Sequence, residues 1–248
     1  MRRRSDVTRV SAEQATALLL EGEIELLGLL PNASNYTFAV RMLHRELQTL
    51  AVYKPREGEM PLWDFPEGTL YAREMAAFEV SRALGWDFVP PTVIRDGPHG
   101  IGMVQLFIDA DPEQHYLTLM PEHAEVFRRV AAFDVLTNNA DRKAGHCLLE
   151  QGTGRIWTVD HGVCFSAEPK LRTVIWDFAG EQLATDVLGA VRRFRATLEP
   201  GCDVLRRIEQ LLAPDEVEAL RARADDLLAT GLFPDVPLDR RPYPWPPV

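Results

Sequence analysis

The sequence predicts an α+β fold in two lobes: an N-terminal antiparallel sheet lobe with one helix, and a mostly helical C-terminal lobe. Apolar runs of strand length, separated by turn residues, occupy most of residues 24–54. One strong helical pattern covers residues 69–84 and ends at Gly85, a residue typical of helix C-caps. Beyond residue 165 the remaining patterns are helical.

The individual elements follow from local patterns. A leading helix is predicted over 11–21, where Ser11 precedes an acid and an amide at capping positions. Predicted strands cover 24–30, 36–43, 50–54, 89–94 and 101–108, and predicted helices cover 122–139, 180–198, 203–212 and 214–231. Residues 109–113 are acidic and broken by a proline, so we expect a division into 1–108 and 109–248.

Composition narrows the function classes. The 248 residues are 46% hydrophobic and 26% charged, typical of a globular protein. A net charge of −10 argues against a nucleic-acid binder and makes membrane binding unlikely, because both partners require a basic face. Three cysteines without CxxC spacing argue against a disulfide framework or a structural zinc site. We expect a cytoplasmic protein.

Residues 133–165 hold the most informative pattern. A polar loop leaves a helix, enters the short strand 147–149, turns, and returns through 156–159 to Asp160. Asp141 and Asp160 therefore stand at the ends of ordered elements joined by one hairpin. Two carboxylates held in this way are suited to a metal–phosphate site. Taken singly, a loop ion pair between Asp141 and Arg142 and a plain strand-end turn at Asp160 are the ordinary alternatives.

Lys54 and Glu74 form a second candidate pair. Lys54 closes an apolar strand, where a lysine normally requires a carboxylate partner. Helical spacing puts Glu74 on the core side of its helix and Glu79 on a more exposed flank. The alternatives are an edge lysine that blocks strand aggregation and a solvated glutamate. In the turn 31–35, backbone amides are available to cover a phosphate, but an ordinary hairpin turn is the simpler interpretation.

The loop sequence FDVLTNNADRKAGHCLL resembles the catalytic loop of the PI3/PI4-kinase-like superfamily, which includes HipA-like and secretory-pathway atypical kinases. The matching residues lie in the loop and after the hairpin: Phe133, Asp134, Asn139, Asp141, Arg142, Asp160 and Gly162. The order of strand lysine, helix glutamate, hinge strand, loop and metal aspartate follows the protein-kinase plan over about residues 24–165. The likeness is to small actinobacterial-type members of this superfamily, and it implies a protein-kinase-like fold.

The resemblance implies an ATP- and metal-dependent phosphotransferase whose acceptor is a protein or small-molecule hydroxyl. Asp141 would orient the acceptor and take its proton, and Lys143 would neutralise the transferred phosphate. Asp160 would hold Mg²⁺. The implied ATP-binding residues come from the sheet lobe and its helix: Lys54, Glu74, Ser34, Asn35, Gln105 and Phe107.

His146 departs from the kinase pattern, which has asparagine at that position. Imidazole is a poor ligand for Mg²⁺ and a better one for Mn²⁺. Three interpretations stay open: His146 binds a softer metal, Asn139 supplies the ligand, or catalysis is weakened. The competing functions are accordingly a nucleotide-binding pseudokinase with a regulatory role and an AMP transferase.

Overall fold

The computed structural model describes residues 12–31 and 35–248. Contacts divide the chain into two compact units, one comprising residues up to Met75 with Pro90–Ile108, the other comprising Ala76–Val89 with Asp109–Val248. Residues 76–89, which the sequence division places in the first region, therefore cluster with the second. The predicted α+β class, an antiparallel sheet with helices, is confirmed.

The first unit is built on a five-stranded antiparallel sheet. Its elements are α1 (Ala12–Glu21), β1 (Glu23–Leu29), β2 (Phe38–His44), β3 (Leu47–Pro55), β4 (Thr92–Gly97) and β5 (Gly100–Leu106), and the strand order is β1-β2-β3-β5-β4. Helix α1 buries Leu18 and Leu19 against inward residues of β2 and β3, among them Val40 and Tyr53. Alternation of buried and half-buried residues along β3 fixes the face that meets α1 and leaves Lys54 near the end of the strand.

Helix α2 (Leu70–Leu84) begins in the first unit and ends in the second. The Glu59 carboxylate accepts hydrogen bonds from the amides of Leu70 and Tyr71, at 3.0 and 2.8 Å. These amides belong to the first turn, which has no partners within the helix, and a negative charge there also suits the helix dipole. Glu59, which lies 11 residues before Leu70, thus caps the N-terminus of the helix that carries Glu74.

The second unit is mainly helical. Its elements are α3 (Tyr116–Thr137), β6 (Cys147–Leu149), β7 (Ile156–Thr158), α4 (Thr185–Thr197), α5 (Asp203–Glu209) and α6 (Pro214–Thr230). The antiparallel pair β6–β7 forms the predicted hairpin, and α6 packs on α3 and α4. Among the helices of residues 12–31 and 35–248, none combines the length and apolar character needed to cross a membrane.

Three local expectations were wrong. Helix α3 starts six residues before the predicted Glu122 and has a kink at His123, two residues after Pro121, which has no amide hydrogen to donate. Strand β4 starts at Thr92 and extends through Gly97, so the turn to β5 is shorter than predicted. Glu79 is buried, because Arg207 of α5 donates to its carboxylate at 2.7 Å.

Candidate active site

In the first unit, Lys54 meets Glu74. The Lys54 ammonium Nζ lies 2.6 Å from Glu74 Oε1. The Glu74 side chain is 1% exposed and the Lys54 side chain 18% exposed. A carboxylate this deeply buried holds the amine in one place, while part of the lysine side chain stays exposed. Strand β3 and the first half of α2 therefore present an oriented cation, as the sequence predicts.

The other predicted nucleotide-binding residues of this unit have structural contacts. Asn35 Oδ1 accepts a hydrogen bond from the Met60 amide at 2.7 Å. Gln105 is buried and donates through Nε2 to Thr92 Oγ1 of β4 at 2.9 Å, while the amide of the more exposed Phe107 donates to the Leu50 carbonyl. Ser34 lies outside the described residues. The binding roles of all four stay predictions.

In the second unit, the loop after α3 starts with a left-handed residue. Asn138 has φ 50° and ψ 51° at the helix C-cap, a conformation that asparagine tolerates better than most residues. Its side-chain amide donates to the carbonyls of Ser166 and Glu168, and its oxygen accepts from the Lys170 amide at 2.9 Å. The turn at the helix end is thereby fixed to the segment that follows Asp160.

The inward side of the loop is a buried ion pair. Arg142 and Asp134 are both 0% exposed, and the guanidinium donates to both carboxylate oxygens at 3.0–3.1 Å. Arg142 also donates to the Val159 carbonyl at 3.2 Å and to His161 Nε2 at 2.7 Å. The adjacent carboxylate of Asp134 raises the Arg142 pKa against the opposing effect of burial. Asp134 thus braces the loop from within.

The outward side of the loop carries a different pair. Lys143 Nζ lies 3.2 Å from Asp141 Oδ2, with 22% and 30% of the side chains exposed. Burial raises the pKa of the Asp141 carboxyl, and the nearby Asp160 raises it further, while the ammonium of Lys143 works in the opposite direction. A reachable carboxylate with a raised pKa has the properties of a general base. The loop ion pair considered above between Asp141 and Arg142 is not formed; Arg142 turns inward.

Asp160 and His146 come together at the end of the hairpin. His146 Nε2 lies 3.3 Å from Asp160 Oδ2, and His146 Nδ1 faces the Lys143 amide at 3.4 Å. Asp160 adopts φ 62°, a left-handed conformation that costs energy in most non-glycine residues. A separation of 3.3 Å suits a direct hydrogen bond, and it is also close to the ~3 Å that separates neighbouring ligands of one divalent cation.

These residues fit a partly protein-bound cation. Within residues 12–31 and 35–248, no group of three or more His, Cys, Asp or Glu side chains is arranged to enclose a metal. Mg²⁺ at nucleotide sites typically takes one or two carboxylate ligands and completes its shell with phosphate and water. Asp160 offers such a carboxylate, and His146 offers a nitrogen that suits Mn²⁺ better than Mg²⁺. Asn139 is fully buried, with its amide bonded to Asp134 and its oxygen accepting from the Asp141 amide. Its role as a metal ligand stays a prediction.

Sequence reasoning did not find Thr173. Its hydroxyl donates to Asp134 Oδ2 at 3.2 Å and accepts from the Ile175 amide at 3.0 Å. The adjacent Arg172 exchanges backbone hydrogen bonds with the loop, donating to the Asn139 carbonyl and accepting from the Arg142 amide. No motif marks these residues, because their contribution is made by backbone groups and one hydroxyl.

The chain is similar in sequence to one curated bacterial protein. No protein-family model matches it. It is 41% identical to Protein Rv2133c of Mycobacterium tuberculosis over an alignment of 271 positions, which covers 93% of this chain and 94% of the relative.

Solved structures of two kinases and of a Fam20 protein have a similar fold. The Helicobacter pylori proinflammatory kinase CtkA matches with a TM-score of 0.53 and 15% identity, over 87% of this chain and 94% of the other. Hydra Fam20, solved with sugar, matches with a TM-score of 0.60 and 13% identity, over 92% and 90%. The Golgi casein kinase with Mn/ADP bound matches with a TM-score of 0.54 and 12% identity, over 88% and 74%. The predicted kinase-like fold is confirmed.

Proposed function

The chain belongs to the same family as Protein Rv2133c, and from this premise and its kinase-like fold we propose that it is an ATP- and divalent-metal-dependent phosphotransferase. The observation that carries the proposal is the outward side of the loop and hairpin. There, Asp141 lies beside Lys143, and Asp160 lies beside His146, in the sequence order of the kinase pattern, and these residue types supply the base, the cation and the metal ligand that phosphoryl transfer uses.

Each residue has a role that follows from its surroundings. The raised pKa of Asp141 makes its carboxylate a stronger base, suited to orient an acceptor hydroxyl and take its proton. Lys143, 3.2 Å away, would leave Asp141 to meet the charge of the transferred phosphate. In the first unit, the ammonium of Lys54, oriented by Glu74, would bind the nucleotide phosphates.

Asp160 and His146 are the residues that we assign to the metal. A bound cation would supply positive charge against the phosphate oxygens of the nucleotide. Imidazole favours Mn²⁺ over Mg²⁺, and a solved kinase of similar fold contains Mn/ADP, so Mn²⁺ is the first cation to test. The narrower PI3/PI4-kinase-like or HipA-like assignment and the identity of the acceptor, protein or small molecule, belong to the proposal.

Thermal unfolding with nucleotide tests the proposal. ATP with Mn²⁺ at about 100 times its Kd should stabilise the chain by about 2.7 kcal/mol. Lys54→Met should weaken this shift, whereas Arg41→Met, which removes a cation paired with Glu25 on the same sheet, should leave it unchanged. No shift with ATP and either Mn²⁺ or Mg²⁺ would refute nucleotide binding altogether.

Product analysis separates the competing activities. If the shift occurs, incubation with ATP and Mn²⁺ should release ADP. Release of pyrophosphate with transfer of AMP would replace phosphotransfer by AMP transfer. Binding without turnover would establish a pseudokinase, and His146 would then be the first residue to exchange for asparagine.

A further inference from the structure

A proline-rich segment is docked on the loop that carries Asp141. Residues 242–247 read Pro-Tyr-Pro-Trp-Pro-Pro. The Pro242 carbonyl accepts from the Thr173 amide and from the Trp176 indole Nε1, both at 3.0 Å. The Pro247 carbonyl accepts from the Ala144 amide at 2.9 Å. The segment therefore binds the loop at Ala144, and it also binds Thr173, which belongs to the stretch of chain beside the loop.

The chemistry of proline suits this contact. Proline lacks an amide hydrogen, so the segment offers mainly carbonyl acceptors to the donors of the loop. A proline-rich chain is also already restricted in conformation, so docking it loses less conformational entropy than ordering an ordinary segment. Pro244 is buried, whereas Tyr243 and Trp245 are 46% and 75% exposed. The prolines supply the attachment, and the two rings face solvent.

Residues 172–174 also hold the loop, through backbone hydrogen bonds. The Arg172 amide donates to the Asn139 carbonyl at 2.8 Å, and the Arg142 amide donates to the Arg172 carbonyl at 3.0 Å. The Val174 amide returns a bond to the Arg142 carbonyl at 3.1 Å. Thr173, inside this ladder, is the residue that binds Pro242. The backbone of residues 139–144 is thus connected to the proline-rich segment both directly and through residues 172–174.

The segment leaves the carboxylate reachable. The Asp141 side chain remains 30% exposed with the segment in place. The segment accepts hydrogen bonds from the amides of Ala144 and Thr173 and from the indole of Trp176. A segment that blocked the site would cover the carboxylate, so these contacts favour a role in holding the loop over a role in obstructing it.

We propose that residues 242–247 are a positioning segment for the loop: through the Pro242 and Pro247 carbonyls they fix the backbone that orients Asp141 and Lys143. This inference rests on the proposed phosphotransfer function. It requires that weakening the contact loosen residues 139–144 and slow turnover, with little effect on the affinity for ATP.

Full-length variants can remove single donors. Trp176→Phe deletes the indole donor to Pro242 and keeps an aromatic ring. Trp63→Phe makes the same chemical change at an exposed ring of the first unit, outside the segment and the loop, and serves as the matched control. Ala144→Pro deletes the donor to Pro247. Ala144 is the first residue of a 3-10 turn and follows an extended residue, a position that proline accepts.

Amide hydrogen exchange and kinetics are the measurements. Each lost bond should speed amide exchange at Arg142 and Thr173 about two- to tenfold, whereas Trp63→Phe should leave it unchanged. In Trp176→Phe and Ala144→Pro, kcat for Mn²⁺-dependent ATP turnover should fall while the Kd for ATP holds. A uniformly weakened structure would not give this separation.

Several outcomes would overturn the inference. Unchanged exchange at Arg142 and Thr173 in Trp176→Phe would show that the segment does not hold the loop. Faster turnover would show that it obstructs the site. If Ala144→Pro fails to fold, Trp176→Phe decides alone. If the intact chain neither binds nor turns over ATP, the proposed function fails, while exchange still reports whether the segment fixes the loop.

Discussion

The two sides of the loop at residues 139–146 use the same residue types in opposite ways. On the inward side, Arg142 and Asp134 are fully buried and have four further partners between them, Asn139, Thr173, Val159 and His161. On the outward side lie Asp141 and Lys143, which directly precede and follow Arg142 in the sequence, yet both are partly exposed. The inward pair is stabilised because hydrogen bonds satisfy its buried charged groups. The outward pair is partly exposed, so its charged groups remain accessible to a ligand. Neighbouring charges in one loop can therefore be divided between folding and chemistry.

The largest expected effect is on the inward side. Arg142→Met leaves the Asp134 carboxylate buried without its cation, and we expect the free energy of unfolding to fall by about 3–5 kcal/mol. Lys143→Met, the same loss of charge one position later, should cost less than about 1 kcal/mol, because that pair is partly exposed. Urea unfolding measures both. Equal losses would abolish the distinction between the two sides.

Asp141→Asn should reduce activity strongly and leave stability almost unchanged. We expect Mn²⁺-dependent ATP turnover to fall at least about 100-fold, since general-base catalysis typically contributes that much. The free energy of unfolding should stay level or rise, because a carboxylate that burial disfavours has been neutralised. Asp186→Asn, an exposed carboxylate paired with Arg129, is the control for charge. Full turnover in Asp141→Asn would remove the residue from the proposed mechanism.

A smaller effect is expected at Thr173. Thr173→Val removes one donor to Asp134 and one acceptor for the Ile175 amide, at nearly constant volume. The loss should be about 1–2 kcal/mol, because Asp134 keeps Arg142 and Asn139. Thr153→Val, on the exposed hairpin turn, should be close to neutral. If unfolding measurements find Thr173→Val neutral as well, the hydroxyl does not contribute to the brace.

Local patterns predicted much of this arrangement. The strand-end position of Lys54 and the helical spacing of Glu74 were enough to expect their contact. The hairpin between Cys147 and Thr158 followed from apolar runs around a glycine-rich turn. The hairpin strands are joined by a short turn, and Lys54 and Glu74 lie in a strand and the next long helix, 20 residues apart in the sequence. For contacts this local, periodicity and turn chemistry carry the information.

Contacts between distant parts of the chain escaped prediction. Glu79 is buried by Arg207, 128 residues later, and helical spacing on α2 alone cannot show that a second face of the helix will be covered. The inward turn of Arg142 depends on the left-handed residue Asn138, which redirects the chain after α3. The place at which the proline-rich segment docks depends on the carbonyl groups of Pro242 and Pro247, and every residue has such a group. Such contacts are set by tertiary packing and leave no sequence signature.

The smallest expected effect is the pH dependence contributed by Asp141. Its pKa is raised above the ordinary value of 3.8, so the folded state binds the proton more tightly than the unfolded state. The resulting stabilisation is fully present below that value and is lost as the pH rises through the folded-state pKa. The free energy of unfolding of the natural chain minus that of Asp141→Asn should therefore decrease from acid to neutral pH. Adding Lys143→Met to both the natural chain and Asp141→Asn should steepen this decrease, because the charge of Lys143 lowers the Asp141 pKa and its removal lets that pKa rise further. A difference that grows with pH would mean that the attraction to Lys143 outweighs burial, and Asp141 would then be a structural partner rather than a base.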